Sequence, residues 1–323
     1  MNGPAGRAAA GLSFDLDNLW SYMKTHGDGG WEDYPSYLDR LIPDVLDLFD
    51  KRRLRAAFFI VGRDAVQKKN LASLRLIVEA GHEVGNHSFD HEPWLHRKTN
   101  GEIEDEIVRT EDAILQATGL RPRGFRGPGF SWSPDLLRIL AARNYRYDAS
   151  TFPTFIGPLG RFYYFTQSRL TERQKEERRE LFGGMAEGLR PVRPYLWRLS
   201  AQMSLLEIPV TTMPVLKSPF HLSYLLYLGG ISPLLMRSYF RTALAVCRAT
   251  RVGVSFLLHP LDFLAGEDAP ALAFFPAMAM SRQKKRRLVL EVLDIFSEYF
   301  DILPLGAYAE RCLLSPALPV RGV

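Results

Sequence analysis

The stretch Gly85-Asn86-His87-Ser88-Phe89-Asp90-His91 places two histidines four residues apart, just after a short predicted strand at 82–86. Four residues are slightly more than one helical turn, so on a helical turn both imidazoles would point the same way. That geometry suits two ligands of one metal ion, although a lone His-x3-His pair is more often incidental. The rest of the chain therefore has to supply a third ligand, a base and an acid.

Two carboxylates occur at the end of an earlier predicted strand. Residues 11–17 alternate apolar and polar, which places Asp15 and Asp17 on one face. Alone, they would be interpreted as part of a solvent-facing edge strand or as a helix cap. The apolar run 56–61 predicts a buried parallel strand next along the chain.

Strands and helices then alternate at a regular spacing, which is typical of parallel β-α units. The further predicted strands lie at 124–129, 145–149, 205–210, 252–258 and 302–305. The predicted helices lie at 37–51, 71–80, 99–118, 134–143, 234–248 and 282–299, with a charged helical face at 171–180. Functional side chains collect at the carboxyl ends of such strands. The polar residues at these predicted ends are Asp15, Asp17, His87, His91, Arg126, Asp148 and His259.

Composition sets the broad class. The 323 residues are 46% hydrophobic, enough for one large barrel or two ordinary domains. A net charge of +5 is too small to indicate a nucleic-acid partner. The two cysteines, Cys247 and Cys312, favour a reducing compartment and leave one disulfide open. We find no signal peptide and no apolar window long enough to span a membrane, so we expect a cytoplasmic protein, free or peripheral at the inner membrane face.

The strand-end residues indicate metal-assisted hydrolysis. Asp17, His87 and His91 form a carboxylate–imidazole set that suits Zn²⁺, with Co²⁺, Mn²⁺ and Fe²⁺ as alternatives. Asp15 is placed to act as a base and His259 to protonate a leaving amine. Structural alternatives remain, since Arg126 could serve only in an ion pair and His259 could be a core histidine.

The same residues resemble the polysaccharide deacetylases of carbohydrate esterase family four, the chitooligosaccharide deacetylase-like group. Five motifs carry the resemblance in order: Ser13-Phe14-Asp15-Leu16-Asp17-Asn18, His87-Ser88-Phe89-Asp90-His91, Arg126-Gly127-Pro128, Asp148, and Leu257-Leu258-His259. The Asp-x-Asp spacing is similar to a subgroup that acts on lipid-linked or unusual amide substrates. The tryptophan expected with the fourth motif is missing.

The resemblance implies a distorted (β/α)7 barrel of α/β class, with inserted segments at about 151–204 and 211–250. We expect residues 1–10 to be disordered, 11–310 to form one deacetylase domain and 311–323 to be a C-terminal tail. The implied reaction is hydrolysis of an N-acyl amide, most simply N-acetyl, on an amino sugar of a glycan or glycolipid.

The resemblance also implies roles for the matched residues. Asp15 would be the base, oriented by Arg126, and His259 the acid, tuned by a hydrogen bond to Asp148. The implied metal ligands are Asp17, His87 and His91. Trp94 and Phe130 follow two of the motifs and are predicted to line the substrate pocket, with core packing as the equal alternative.

Other functions stay open at this point. They are deformylation or hydrolysis of a non-sugar amide or imide on the same barrel, and non-catalytic binding of glycan or lipid. The apolar stretch 219–248, with Arg237 and Arg241, and the basic cluster 282–287 predict peripheral contact with an anionic membrane. The alternative for 219–248 is a pair of ordinary core helices.

Overall fold

The structure is a computed structural model that describes residues 7–157, 170–177, 184–315 and 318–323. Its strands are β1 (Ala8–Leu16), β2 (Ala57–Ile60), β3 (Glu83–Asn86), β4 (Gly124–Phe125), β5 (Tyr147–Asp148), β6 (Tyr195–Arg198), β7 (Ser204–Glu207), β8 (Ser255–Leu258), β9 (Phe300–Pro304) and β10 (Val320–Gly322). Its helices are α1 (Leu19–His26), α2 (Leu38–Asp50), α3 (Gly62–Ala65), α4 (Leu71–Glu79), α5 (Asn100–Thr118), α6 (Pro134–Ala142), α7 (Glu172–Glu177), α8 (Leu222–Ile231), α9 (Pro233–Ala249), α10 (Arg282–Tyr299) and α11 (Leu305–Leu313).

The strands form one sheet in the order β10-β6-β7-β5-β4-β3-β2-β1-β8, with β9 paired to the first half of β1. The described pairings are parallel except for the antiparallel pair β6–β7. A hydrogen bond from Thr211 N to Ser255 O, 3.1 Å long, links the segment after β7 to β8. The seven strands from β7 to β8 in this order therefore close into a ring, which confirms the predicted α/β fold with a distorted barrel.

The alternating pattern of 11–17 produces the central strand of the barrel. Phe14 packs on Phe58 of β2, with ring centroids 5.1 Å apart, in the layer between sheet and helices. The other face of β1, with Ser13 and Asp15, is also buried. Because β1 has neighbours on both sides, it is not an edge strand.

Local signals fix the helices that follow the strands. Thr99 and Glu102 form a capping box at the start of α5, and Ser133 caps α6 with Pro134 at the first helical position. These helices confirm the predictions for 99–118 and 134–143 to within one residue. The Glu102 carboxylate completes the capping box by accepting the backbone N–H of Thr99. Its negative charge also interacts favourably with the positive end of the helix dipole.

Both predicted chain ends need correction. Ala8–Ala10 are not disordered, because they pair with Phe300–Ile302 of β9. The predicted tail 311–323 is also wrong in part, since α11 continues to Leu313 and β10 pairs with β6.

The segment 211–250 is a structural part of the barrel rather than an insertion. The two helices α8 and α9 connect β7 to β8, and a parallel connection of this kind requires a crossover. Their buried residues, including Leu225, Phe240 and Leu244, join the main core together with α10. In the other predicted insertion, 151–204, residues 158–169 and 178–183 lie outside the described residues. The charged helical face predicted at 171–180 corresponds, over its described part, to α7.

The basic residues predicted to face a membrane are mostly engaged elsewhere. Arg237 and Arg241 form ion pairs with Glu291 and Glu298 of α10. Lys285 is fully buried. No helix among the described residues is long and apolar enough to cross a membrane. Cys247 and Cys312 are both free thiols.

Candidate metal centre and active site

The three predicted metal ligands lie together at the carboxyl ends of β1 and β3. Asp17 Oδ1 is 2.9 Å from His91 Nε2 and 3.3 Å from His87 Nε2. One ligand atom from each residue lies within 4.8 Å of the others, and all three residues are buried. The three side chains therefore lie close together, as expected from their positions at the ends of parallel strands.

His87 and His91 do not lie on a helical turn. The segment after β3 is a loop in which Ser88 and His91 take the left-handed conformation, with φ of 59° and 49°. The buried carboxylate of Glu106 on α5 holds this loop, because its Oε2 accepts hydrogen bonds from Phe89 N and Asp90 N at 2.8 and 2.9 Å. Sequence reasoning missed Glu106, which lies among several other acidic residues of the same helix.

The protonation of the cluster suits a divalent cation. His87 Nδ1 donates to the carbonyl of Arg126 at 2.7 Å, so its Nε2 lone pair is free to bind a metal. Burial raises the pKa of Asp17, but the two imidazoles more than offset this and hold the pKa well below its usual range. Asp17 Oδ1 is buried and accepts no well-aligned hydrogen bond within the described part of the chain. An ionised carboxylate and two imidazoles, one of them with its Nε2 lone pair unshared, fit the ligand chemistry of zinc and similar metals.

Arg126 orients Asp15 from the end of β4. Its Nη1 donates to Asp15 Oδ1 at 2.7 Å and to Ser13 Oγ at 2.9 Å, and its Nε donates to Ala149 O at 3.0 Å. The guanidinium is fully buried and lies over the ring of Phe59, 4.6 Å from its centroid. This geometry fixes one carboxylate oxygen of Asp15 and leaves Oδ2 for other partners.

His259 lies at the end of β8 on the other side of Asp15. Its Nε2 is 3.9 Å from Asp15 Oδ2, and its side chain is 20% exposed. Its Nδ1 is 3.4 Å from Ser223 Oγ on the first turn of α8. A partly open imidazole beside a carboxylate is placed to exchange protons with a bound molecule, unlike a packed core histidine.

The prediction that Asp148 tunes His259 is wrong. Asp148 Oδ1 accepts a hydrogen bond from Ser150 Oγ at 2.5 Å, and Asp148 is in register with Glu207 across β5 and β7. Burial raises the pKa of both carboxyl groups, and Asp148 raises that of Glu207 further. The physical reason is the strand order, which places β5 beside β7 while His259 ends β8.

The carboxylate that does reach His259 belongs to Asp262. Its Oδ2 accepts the backbone N–H of His259 at 2.8 Å, and its Oδ1 accepts the Ser223 hydroxyl at 2.7 Å. The sequence signal was the three-residue spacing from His259, at which the Asp262 carboxylate reaches back to the residue that precedes the turn Pro260–Asp262.

The two predicted substrate-binding aromatics have different surroundings. Trp94 is half-buried and lines a cavity of about 420 Å³ together with Glu92, Arg97 and Lys98. Phe130 stacks on Phe152 at 4.7 Å, and core packing accounts for that contact. Their substrate roles remain predictions.

Comparisons with known proteins relate part of the chain to one family. Residues 28–147 match the polysaccharide deacetylase family, a range that contains His87, His91 and Arg126 but not Asp15, Asp17 or His259. A peptidoglycan-N-acetylglucosamine deacetylase from Listeria monocytogenes is 35% identical over 98 residues, 30% of this chain and 20% of that protein. A peptidoglycan deacetylase from Helicobacter pylori is 31% identical over 143 residues, 42% of this chain and 47% of that protein. The chain thus spans less than half the length of these curated relatives.

A solved structure extends the likeness to the whole fold. A Mycobacterium smegmatis protein assigned to the polysaccharide deacetylases superimposes with a TM-score of 0.63 at 18% identity, covering 99% of this chain and 96% of that chain. At this identity the likeness shows a shared fold. The chain therefore resembles the polysaccharide deacetylase family over residues 28–147 and shares the overall fold of that solved structure.

Proposed function

We propose that this protein is a metal-dependent N-deacetylase that hydrolyses an N-acyl amide, in the first place an N-acetyl group, on an amino sugar of a glycan. The observation that carries the proposal is one cluster of side chains from separate strand ends. Asp17, His87 and His91 converge within 4.8 Å, and Asp15 and His259 flank them with Oδ2 and Nε2 3.9 Å apart. The names of the relatives support the same reaction class.

A divalent ion held by Asp17, His87 and His91, with zinc as the first choice over cobalt, manganese or iron, would supply Lewis-acid polarisation of the amide carbonyl and of water. The chain itself provides the proton transfers. Asp15 Oδ2 accepts the proton of the attacking water, while Arg126 on Oδ1 keeps the carboxylate oriented.

His259 completes the reaction on the leaving-group side. As the carbonyl carbon–nitrogen bond breaks, protonated Nε2 gives its proton to the amine, and the products are a carboxylic acid and the free amino sugar. The proton taken by Asp15 then restores His259 for the next turnover, a transfer that the 3.9 Å separation of the two atoms allows through small motion. We further propose that Trp94 packs against a sugar face in its cavity and that Phe130 closes the wall beside it.

The direct test is mass spectrometry of chitooligosaccharides and peptidoglycan fragments incubated with the purified, zinc-loaded protein. We expect products that have lost acetyl groups, bound metal in stoichiometric amount, and no reaction with Asp15→Asn. Asp39→Asn, an exposed change on α2, is the matched control and should keep full activity. Absence of bound metal, or full activity of Asp15→Asn, would contradict the mechanism; loss of formyl from a formylated substrate alone would identify a deformylase.

A finer proposal concerns the substrate carrier. We propose a lipid-linked amino sugar, presented at an anionic membrane surface. In support, α8 begins beside His259 and, being ten residues long, ends about 15 Å away at an apolar tip. The tip exposes Tyr227, Ile231, Leu234 and Leu235, of which Ile231 and Leu234 are 66% and 69% exposed. Lys284 bonds to Gly230 O beside the tip, and Arg286 and Arg287 are exposed nearby on α10.

Vesicle flotation tests this finer proposal. The protein should float with anionic vesicles, and the double change Ile231→Glu and Leu234→Glu should abolish flotation. Val66→Glu, an exposed apolar position elsewhere, is the control and should still float. Wild-type protein that stays in the bottom fraction would rule out the membrane contact without affecting the deacetylase proposal. The cytoplasmic setting expected from the sequence remains a prediction.

A further inference from the structure

The proposed acid, His259, is held by a chain of hydrogen bonds on the side away from Asp15. The Ser223 hydroxyl donates its single proton to Asp262 Oδ1 at 2.7 Å. Its oxygen is therefore left as the acceptor for His259 Nδ1–H, 3.4 Å away. With Nδ1 protonated, the exchangeable position of the imidazole is Nε2, which faces Asp15.

Asp262 is itself fixed by a buried lysine from another element. Lys285, on the second turn of α10, is fully buried, and its Nζ donates to the carbonyls of Leu261 (2.8 Å) and Leu264. These carbonyls flank Asp262 in the turn that follows His259. Among the described residues, Lys285 forms no salt bridge; its third polar contact is Met278 Sδ at 3.6 Å.

A buried ammonium without an ion-paired carboxylate is costly and uncommon. Burial lowers the pKa of Lys285 to about 8, although the charge of Asp262 opposes the shift. Burial likewise raises the pKa of Asp262, against the charges of His259 and Lys285. The charges of Asp262 and Lys285 therefore stabilise each other. Both side chains also bind backbone groups of this turn: Lys285 binds two carbonyls, and Asp262 binds the N–H of His259.

We propose that Ser223, Asp262 and Lys285 form a positioning network for His259, which fixes its tautomer and aims Nε2 at the leaving nitrogen. The inference rests on the proposed role of His259 as the acid. In the network Lys285 closes the turn, Asp262 binds the His259 backbone and the Ser223 hydroxyl, and Ser223 accepts Nδ1–H. The network takes the place that the sequence had assigned to Asp148.

The network makes a prediction about leaving groups that a purely structural role would not make. An amine must be protonated to leave, whereas the phenolate of an aryl acetate leaves without a proton. Ser223→Ala and Asp262→Asn should therefore lower kcat for deacetylation of a chitooligosaccharide by about 10- to 100-fold, less than the roughly 100- to 10,000-fold contribution of a general acid, because the acid itself is retained. Aryl acetate hydrolysis should change by no more than about threefold, and the KM for the glycan should be retained.

Three control variants accompany the comparison. Asp112→Asn, an exposed change on α5, should leave both reactions unchanged, and Ser223→Thr, which keeps the hydroxyl, should restore most of the amide activity. Lys285→Met should show the same selective loss as Asp262→Asn, with exposed Gln283→Met on the same helix as its control. Circular dichroism checks that each variant is folded.

A readout without turnover separates this inference from the proposed function. Nitrogen-15 NMR of the neutral imidazole, assigned with His259→Gln, should report the Nδ1–H tautomer in the wild type and its loss in Ser223→Ala and Asp262→Asn. If the wild type deacetylates no glycan but shows this tautomer change, the network stands and the proposed function is wrong. If the tautomer is unchanged, or if folded Ser223→Ala loses amide and ester activity in parallel, the network is wrong.

Discussion

Glu106 offers the sharpest test of how the metal-ligand loop is held. Its carboxylate accepts hydrogen bonds from Phe89 N and Asp90 N at 2.8 and 2.9 Å, and its other oxygen is 3.0 Å from Lys98 Nζ. The change Glu106→Ala leaves two loop N–H groups without their acceptor and Lys98 with one partner fewer. Hydrogen bonds to charged groups contribute about 1.5–3 kcal/mol each. Because water can enter part of the space, we expect the free energy of unfolding to fall by about 3 kcal/mol, the lower end of the sum for two bonds.

The same change should weaken metal binding. The loop places His87 and His91 in a conformation that includes two left-handed residues, so a loosened loop presents its ligands in the wrong geometry. Loss of such supporting contacts typically lowers metal affinity by about 10- to 100-fold. Glu106→Gln keeps one carbonyl acceptor for both N–H groups and should show the smaller effect.

Two measurements check the prediction. Urea unfolding of the metal-free variants, followed by tryptophan fluorescence, gives the stability change, and competition with a chromophoric chelator gives zinc affinity. Glu104→Ala, a half-exposed position on the same helix, is the matched control. If Glu106→Ala unfolds within about 0.5 kcal/mol of this control and binds zinc as the wild type does, Glu106 does not hold the loop.

Three further changes have expected outcomes. Arg126→Lys cannot bond both Asp15 and Ala149 O as the guanidinium does, so kcat/KM should fall by about 10- to 100-fold, the rate equivalent of one charge-assisted hydrogen bond, in a glycan deacetylation assay. Burial raises the pKa of Asp64 from 3.8 to about 6, so the folded state keeps a proton that the unfolded state releases as pH rises between these values. Wild-type stability should therefore lose about 2 kcal/mol between pH 4 and pH 7 relative to Asp64→Asn, as measured by urea unfolding at both pH values. Trp94→Ala should raise the glycan KM and leave kcat unchanged, because stacking on a sugar binds ground state and transition state alike.

The sequence was informative where a single strand or helix carried the signal. Apolar runs and alternation located the barrel strands, and the capping residues Thr99 and Ser133 located helix starts to within one residue. Once the strands were known to be parallel, their carboxyl ends had to meet at one end of the barrel. That rule alone brought Asp15, Asp17 and His259 into one site, although His259 lies more than two hundred residues after the two aspartates.

The errors concern features that depend on strand order or on single residues. Asp148 was assigned to His259, yet its neighbour is Glu207, and only the register of β5 with β7 shows this. The loop conformation of His87–His91, with positive φ at Ser88 and His91, was also not predicted, because such single-residue conformations have no periodic signature. Similarly, Lys285 is one of five cations within 282–287, and nothing in that run distinguishes the buried one.

Glu106 and Lys285 solve the same physical problem with opposite charges. Each is a buried ion on an outer helix that binds two backbone groups of a loop at the site. Glu106 accepts two N–H groups of the loop with the metal ligands, and Lys285 donates to two carbonyls of the turn after His259. Since the two ions lie on different helices and share no partner, their effects on stability should add in a double variant to within about 0.5 kcal/mol.

Their effects on catalysis should differ in kind. Carbonyl polarisation is required for amides and aryl esters alike, so Glu106→Ala should lower both activities at limiting zinc and recover both when zinc is raised. The acid is required only for amides, so Lys285→Met should lower amide hydrolysis selectively, and added zinc should not restore it. Equal amide-to-ester ratios in the two variants would mean that the loops move as one unit, and the division of the site into a metal-binding side and a proton-donating side would then be wrong.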